Sequence, residues 1–189
     1  QKNNLDASNI KDLSTAYVAG AAAYEEDAEA KVEIDDINQR LYAGDKNLQD
    51  IYNTGRTASL EHFDELYKIL GTKFDRFFFE SETAPIGLKI VSKNPQVFEK
   101  SDGATVFKGE KYGAHTRVFV TSKGMPTYEA KELGLIELKQ KEFPFDLAIT
   151  TTATEQDGFF QVIEKLVPLL WPNLKDKYIH VSHGMMRFA

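Results

Sequence analysis

Cysteine is absent from all 189 residues. That one gap removes disulfides, thiolate zinc sites and cysteine nucleophiles together, and it agrees with a reducing, cytoplasmic setting. No uninterrupted apolar run approaches the roughly 20 residues that span a bilayer, and the start carries no basic stretch leading into an apolar one. Neither a membrane helix nor a secretory leader is expected. Basic residues are in the minority, with 23 Lys and Arg against 29 Asp and Glu for a formal net charge of -6. The basic footprint that supplies most nucleic-acid affinity is therefore missing from these residues as a whole. Also missing are a P-loop, a Gly-x-Gly-x-x-Gly fingerprint, a nucleophile elbow and a zinc-protease helix motif, which weakens hydrolase and dehydrogenase readings. The chain opens on Gln1 rather than methionine and stops at Arg187-Phe188-Ala189 without a helix-ending signal. It reads as a piece of something longer.

With 42% hydrophobic content, the chain can bury one ordinary core or two small ones. Over 7–43 the residues are good helix formers, with Ile10, Leu13, Tyr17, Ala21 and Tyr24 recurring every three to four positions. One long helix or two in succession accounts for them. A second helical stretch covers 48–70, where Leu60, Phe63, Leu66, Tyr67 and Leu70 form another apolar stripe and Gly71 is placed to cap it. From Lys73 onward aromatic density rises through Phe74, Phe77, Phe78 and Phe79 and the helical period is lost. This shift divides the chain into a helical, insertion-like region over 1–72 and an α/β region over 73–189.

In the second region, 77–80 reads as a short strand and 84–91 as a helix that ends before Asn94-Pro95. Two short strands, 97–100 and 105–108, flank Ser101-Asp102-Gly103, a strong hairpin signal in which Asp102 and Gly103 serve the turn. Strand and helix then alternate: 116–121 strand, 128–140 helix, 145–151 strand, 156–170 helix, 178–181 strand. Such alternation indicates right-handed crossovers in a parallel, Rossmann-like sheet. The fold class expected is α/β, with an N-terminal helical region and a small β-hairpin insertion.

Two segments carry candidate chemistry. If Met125-Pro126-Thr127-Tyr128-Glu129-Ala130-Lys131-Glu132 opens a helix, Tyr128 and Glu132 stand one turn apart on one face, within reach of one small ligand. A carboxylate beside an electron-rich ring suits a cation, above all a planar guanidinium that takes a bidentate contact and lies against the ring. The plain structural alternative has Tyr128 covering core and Glu132 solvated. Gln156 and Asp157 follow the next strand at the start of the next crossover helix, where open parallel sheets place their ligands. The second segment is His180-Val181-Ser182-His183-Gly184-Met185. Its His-x-x-His spacing is compatible with metal ligation, but without cysteine or paired carboxylates nearby no metal is expected. Close approach of a ligand to backbone at Gly184 fits better than a metal does, and a buried or hydrogen-bonded histidine near a turn is the plain structural reading of the segment.

Over continuous sequence these residues resemble the central part of an arginyl-tRNA synthetase, a class I aminoacyl-tRNA synthetase. The similarity is carried by Ser101-Asp102-Gly103-Ala104, Gly109-Glu110-Lys111-Tyr112-Gly113, His115-Thr116-Arg117-Val118-Phe119 and Gly124-Met125-Pro126-Thr127-Tyr128-Glu129-Ala130-Lys131-Glu132-Leu133-Gly134. The resemblance implies arginine bound by Tyr128, Glu132 and Gln156, through ring contact, charge pairing and a neutral amide. The acidic position is more usually aspartate in that family, and Glu132 is a methylene longer. It also implies His180, His183, Gly184 and Met185 against the adenine of ATP, largely through backbone. The family activates arginine with ATP, Mg assisting, to arginyl-adenylate and pyrophosphate, then transfers the arginyl group to tRNA(Arg). The family's histidine-glycine signature, Lys-Met-Ser-Lys type loop and anticodon-binding region are absent from these residues. The isolated chain is therefore expected to be inactive and to bind little tRNA. From another class, the alternative is a stand-alone module that binds arginine or an adenine nucleotide without catalysis.

Overall fold

In the computed structural model, which describes residues 5–184, Asp27 breaks the first run of helix formers in two. Its backbone is extended, and its Oδ1 accepts the N–H groups of Glu29 and Ala30 at 2.8 and 3.1 Å. Those are donors that a helix start otherwise leaves unpaired. The products are α1, Ile10–Glu26, and α2, Ala28–Tyr42. The third helix, α3, Lys46–Leu70, starts at the Asp45 cap and ends at Gly71, whose φ of 67° is left-handed. Glycine carries no Cβ penalty there. These helices belong to the first of two compact units, Gln1–Arg76. The apolar stripes identified the helices but not a core. Gly55 of α3 is buried with the Leu13 side chain over it, yet Tyr17, Ile69 and Leu70 are 78%, 81% and 73% exposed.

The unit Phe77–Ala189 opens with a correction. Residues 77–80 form no strand, because the Phe79 N–H donates to Glu82 Oε2 at 2.8 Å and makes Phe79 the N-cap of α4, Glu80–Lys93. The helix thus starts ahead of Pro85 rather than beside it, on the reach-back of a carboxylate three residues along. Next come β1, Glu99–Ser101, and β2, Ala104–Phe107, joined by Asp102 and Gly103 with φ of 49° and 79°. Two left-handed residues are what an Asp-Gly hairpin turn requires. A second correction concerns β3, Arg117–Val120. It pairs antiparallel with β2 in a sheet ordered β1-β2-β3, instead of joining the parallel sheet. The link from Phe107 to Arg117 is shorter than the dozen or more residues a parallel crossover needs.

Beyond α5, Tyr128–Glu142, the expected alternation holds: β4, Ala148–Ala153, and β5, Tyr178–His183, are parallel and joined through α6, Asp157–Leu170. The core gathers Phe107, Phe119, Leu133, Ile136, Phe160, Ile163 and Leu166 between these elements. Helices α4 and α5 meet backbone to backbone. A Cβ on Gly134 would lie 2.1 Å from the Thr83 carbonyl oxygen, and one on Gly87 1.9 Å from that of Ala130. Among the described residues no helix is long and apolar enough to cross a membrane.

Candidate functional site

Thr127 fixes where α5 begins. Its N–H donates to the Phe119 carbonyl at 3.0 Å and its Oγ1 to the Val118 carbonyl at 2.7 Å, so the first turn of α5 is tied to the end of β3. Tyr128 follows, half exposed, with its ring 4.8 Å from that of Phe159 on α6. One turn later Glu132 is only 6% exposed. The alternative that puts tyrosine in the core and the acid in water is thereby inverted. Glu132 Oε1 accepts the Tyr178 hydroxyl at 2.7 Å, and the Tyr178 oxygen in turn accepts Thr150 Oγ1–H at 3.2 Å. The acid on α5 is thus tied to the facing residues of β5 and β4.

Burial pushes the Glu132 carboxyl up from its ordinary range, while the Tyr178 hydrogen bond and the charge of Lys139 pull it partly back. The Tyr178 phenol is driven far up by burial and by the neighbouring Glu132 charge. Tyr128 is raised as well, by partial burial first and then by Glu132, so the two α5 side chains sense each other. A largely desolvated carboxylate with one internal donor is under-compensated, and a cation is the partner that relieves it.

Gln156 ends the 3-10 turn Thr154–Gln156 between β4 and α6 and is half-buried. It lies one turn before Phe159, the ring on which Tyr128 rests, so the starts of α5 and α6 converge there. Among the described residues, Gln156 makes no hydrogen bond to Tyr128 or Glu132.

His180 and His183 are three apart on β5, which sets them on opposite faces of the sheet. His180 points inward: its ring stacks on Phe160 at 4.1 Å and 8°, and its Nε2 is 2.7 Å from Thr152 Oγ1. Its Nδ1 is 4.0 Å from Asp157 Oδ1, a buried oxygen without a hydrogen bond among the described residues. His183 and Gly184 are exposed. Met185 lies outside the described residues.

A family model for the catalytic domain of class I tRNA synthetases, the arginine (R) type, matches residues 1–187. The chain belongs to this family. Among curated relatives, it is 28% identical over 187 residues to the arginine–tRNA ligase of Streptococcus thermophilus, covering 96% of this chain and 33% of that one. Against the arginine–tRNA ligase of Borrelia garinii it is 28% identical over 180 residues, covering 90% and 31%. The chain spans about a third of the length of these relatives. The solved arginyl-tRNA synthetase of Plasmodium falciparum shares the fold, with a TM-score of 0.73 at 19% identity over 97% of this chain and 31% of that one. The class I assignment, the α/β fold and the arginine–tRNA ligase family are therefore as the sequence implied.

What the sequence did not disclose within this family member is the pair Tyr178 and Thr150. The signal was faint: a tyrosine opening an otherwise aliphatic strand. Its significance depends on register, since Ala148 pairs with Tyr178 and Thr150 with His180, which sets Thr150 and Tyr178 on the same face of the parallel pair.

Proposed function

We propose that this chain is the part of an arginine–tRNA ligase that receives the arginine side chain. Glu132 supplies the charge partner of the guanidinium, Tyr128 the ring beside it, and Gln156 a neutral amide contact. One observation carries the reading. An acid that is 6% exposed sits one turn from a half-exposed tyrosine, with one oxygen fixed by a hydroxyl. A buried carboxylate raised by desolvation gains most from a partner that is always charged and planar, which favours guanidinium over ammonium. The whole ligase then activates arginine with ATP and transfers it to tRNA(Arg). Attack of the arginine carboxylate on the α-phosphate asks the protein for positioning and charge neutralisation rather than a nucleophile.

By the same reading, the ATP adenine lies against the β5 end, at His180, His183, Gly184 and Met185, and residues 1–72 form a helical, insertion-like region. For Mg, no group of three His, Asp or Glu side chains gathers among the described residues, so no residue of this chain is proposed as its ligand. The test is a ligand panel titrated calorimetrically into the chain. Arginine and agmatine are expected to bind, with citrulline, which lacks the charge, at least about ten-fold weaker, a loss of ~1.4 kcal/mol. Equal affinity for citrulline would refute a charge-paired guanidinium site.

A further inference from the structure

We infer that Tyr178 is a positioning residue of the arginine site, one that aims Glu132 by donating to one of its carboxylate oxygens. The inference rests on the reading of Glu132 as the guanidinium partner. Tyr178 is 6% exposed, so its hydroxyl has no bulk water to fall back on and must find partners inside the fold. It has two. Thr150 Oγ1 donates to it at 3.2 Å, and it donates to Glu132 Oε1 at 2.7 Å. With its acceptor side occupied by Thr150, the phenol proton has one direction left, toward the carboxylate. The relay therefore has a polarity: threonine to tyrosine to glutamate.

The other carboxylate oxygen is in a different state. Among the described residues Oε2 accepts no hydrogen bond. A glutamate has one more rotatable bond than an aspartate, and a carboxylate on that longer stem samples more orientations. Anchoring Oε1 from behind removes that freedom and presents Oε2. A charge-assisted donor also favours the ionised form of a desolvated acid, and only the ionised form can pair with guanidinium. The groups acting on Glu132 are the hydroxyl of Tyr178 from β5, as a neutral donor, and the charge of Lys139 from its own helix. On the packed elements, Glu80 of α4 is bridged to Lys131, Arg117 of β3 to Glu129, and Glu164 of α6 lies beside Tyr178.

The experiment is arginine calorimetry from pH 4 to 8 on the chain, with Tyr178→Phe, Thr150→Val and Glu132→Gln beside it. Phenylalanine keeps the ring and removes only the hydroxyl. Tyr178→Phe is expected to weaken arginine about ten-fold at neutral pH, the order of one hydrogen bond to a charged group. It is also expected to move upward the pH below which binding fades, because Glu132 loses the donor that favours its charge. Thr150→Val, which removes only the outer link, is expected to shift both in the same direction by about two- to three-fold in affinity; it carries the test if Tyr178→Phe does not fold. Wild-type affinity and an unmoved acid limb in both variants, with Glu132→Gln abolishing binding, would overturn the role of Tyr178 and leave the arginine site standing. Glu132→Gln binding arginine like wild type would overturn the site itself, and this inference with it.

Discussion

Gly134→Ala is the sharpest probe of how the site is held, because two effects of known sign oppose each other. In an open helix this substitution stabilises by about 0.5–1 kcal/mol, through lower backbone entropy in the unfolded chain. At Gly134 the added Cβ would stand 2.1 Å from the Thr83 carbonyl oxygen and 2.9 Å from the Gly87 nitrogen. Both obstacles are backbone of α4, so no rotamer change relieves them. Restoring ordinary contact requires the two helices to separate by about 1 Å, and overpacking of this kind costs about 1–3 kcal/mol. The net expectation is a loss of about 1–2 kcal/mol, or roughly 4–12 °C in Tm for a unit of this size. Trp171 is the only tryptophan and packs against the core of the second unit, so its fluorescence follows that unit's unfolding. Gly20→Ala on α1, where an added Cβ meets nothing within 4 Å, is the control and should gain about 0.5–1 kcal/mol, read by circular dichroism. If Gly134→Ala raised the Trp171 transition as an open-helix substitution would, the backbone contact between α4 and α5 would be refuted.

The other predictions concern the acid, the caps and the histidine shelf. Burial raises the Glu132 carboxyl in the folded chain above its ordinary 4.5. Its contribution to stability is therefore complete below about 4.5 and is lost as pH rises through the folded value. Glu132→Gln removes that loss, so thermal scans should show the variant gaining on wild type from pH 4.5 toward neutrality; parallel curves would contradict the burial of charge. Phe160→Ala takes away a fully buried ring and the surface on which His180 stacks, and should cost about 3–5 kcal/mol by urea titration. Asp27→Ala deletes the cap between α1 and α2 and should cost about 1 kcal/mol, seen as lower helicity. Purified alone, the 189-residue chain is expected not to charge tRNA with arginine; near-normal aminoacylation would contradict the proposed division of labour.

Local chemistry made much of the second unit legible. Asp102-Gly103 could hardly be anything but a turn, and the apolar period of α6 between two β-branched runs specified the parallel crossover from β4 to β5. Nonlocal choices stayed hidden. The run Phe77-Phe78-Phe79 has strand propensity, but a single carboxylate, Glu82, reaches back and converts its end into a helix cap. Residues 116–121 look like any buried strand, and only the short connection from β2 fixes them as antiparallel. In the site, the spacing of Tyr128 and Glu132 was readable because one helix sets it. The partner that ties Glu132 down was not, because Tyr178 lies 46 positions away and reaches it only through the register of β5 on β4.

The central claim is that a buried acid on α5 is the charge partner of an arginine side chain. Isothermal titration of arginine into the chain and into Glu132→Gln at neutral pH tests it most directly. Saturable binding by the wild type that falls at least about ten-fold in the variant, a change of ~1.4 kcal/mol, is the predicted result; indistinguishable affinities in two equally folded proteins would contradict it.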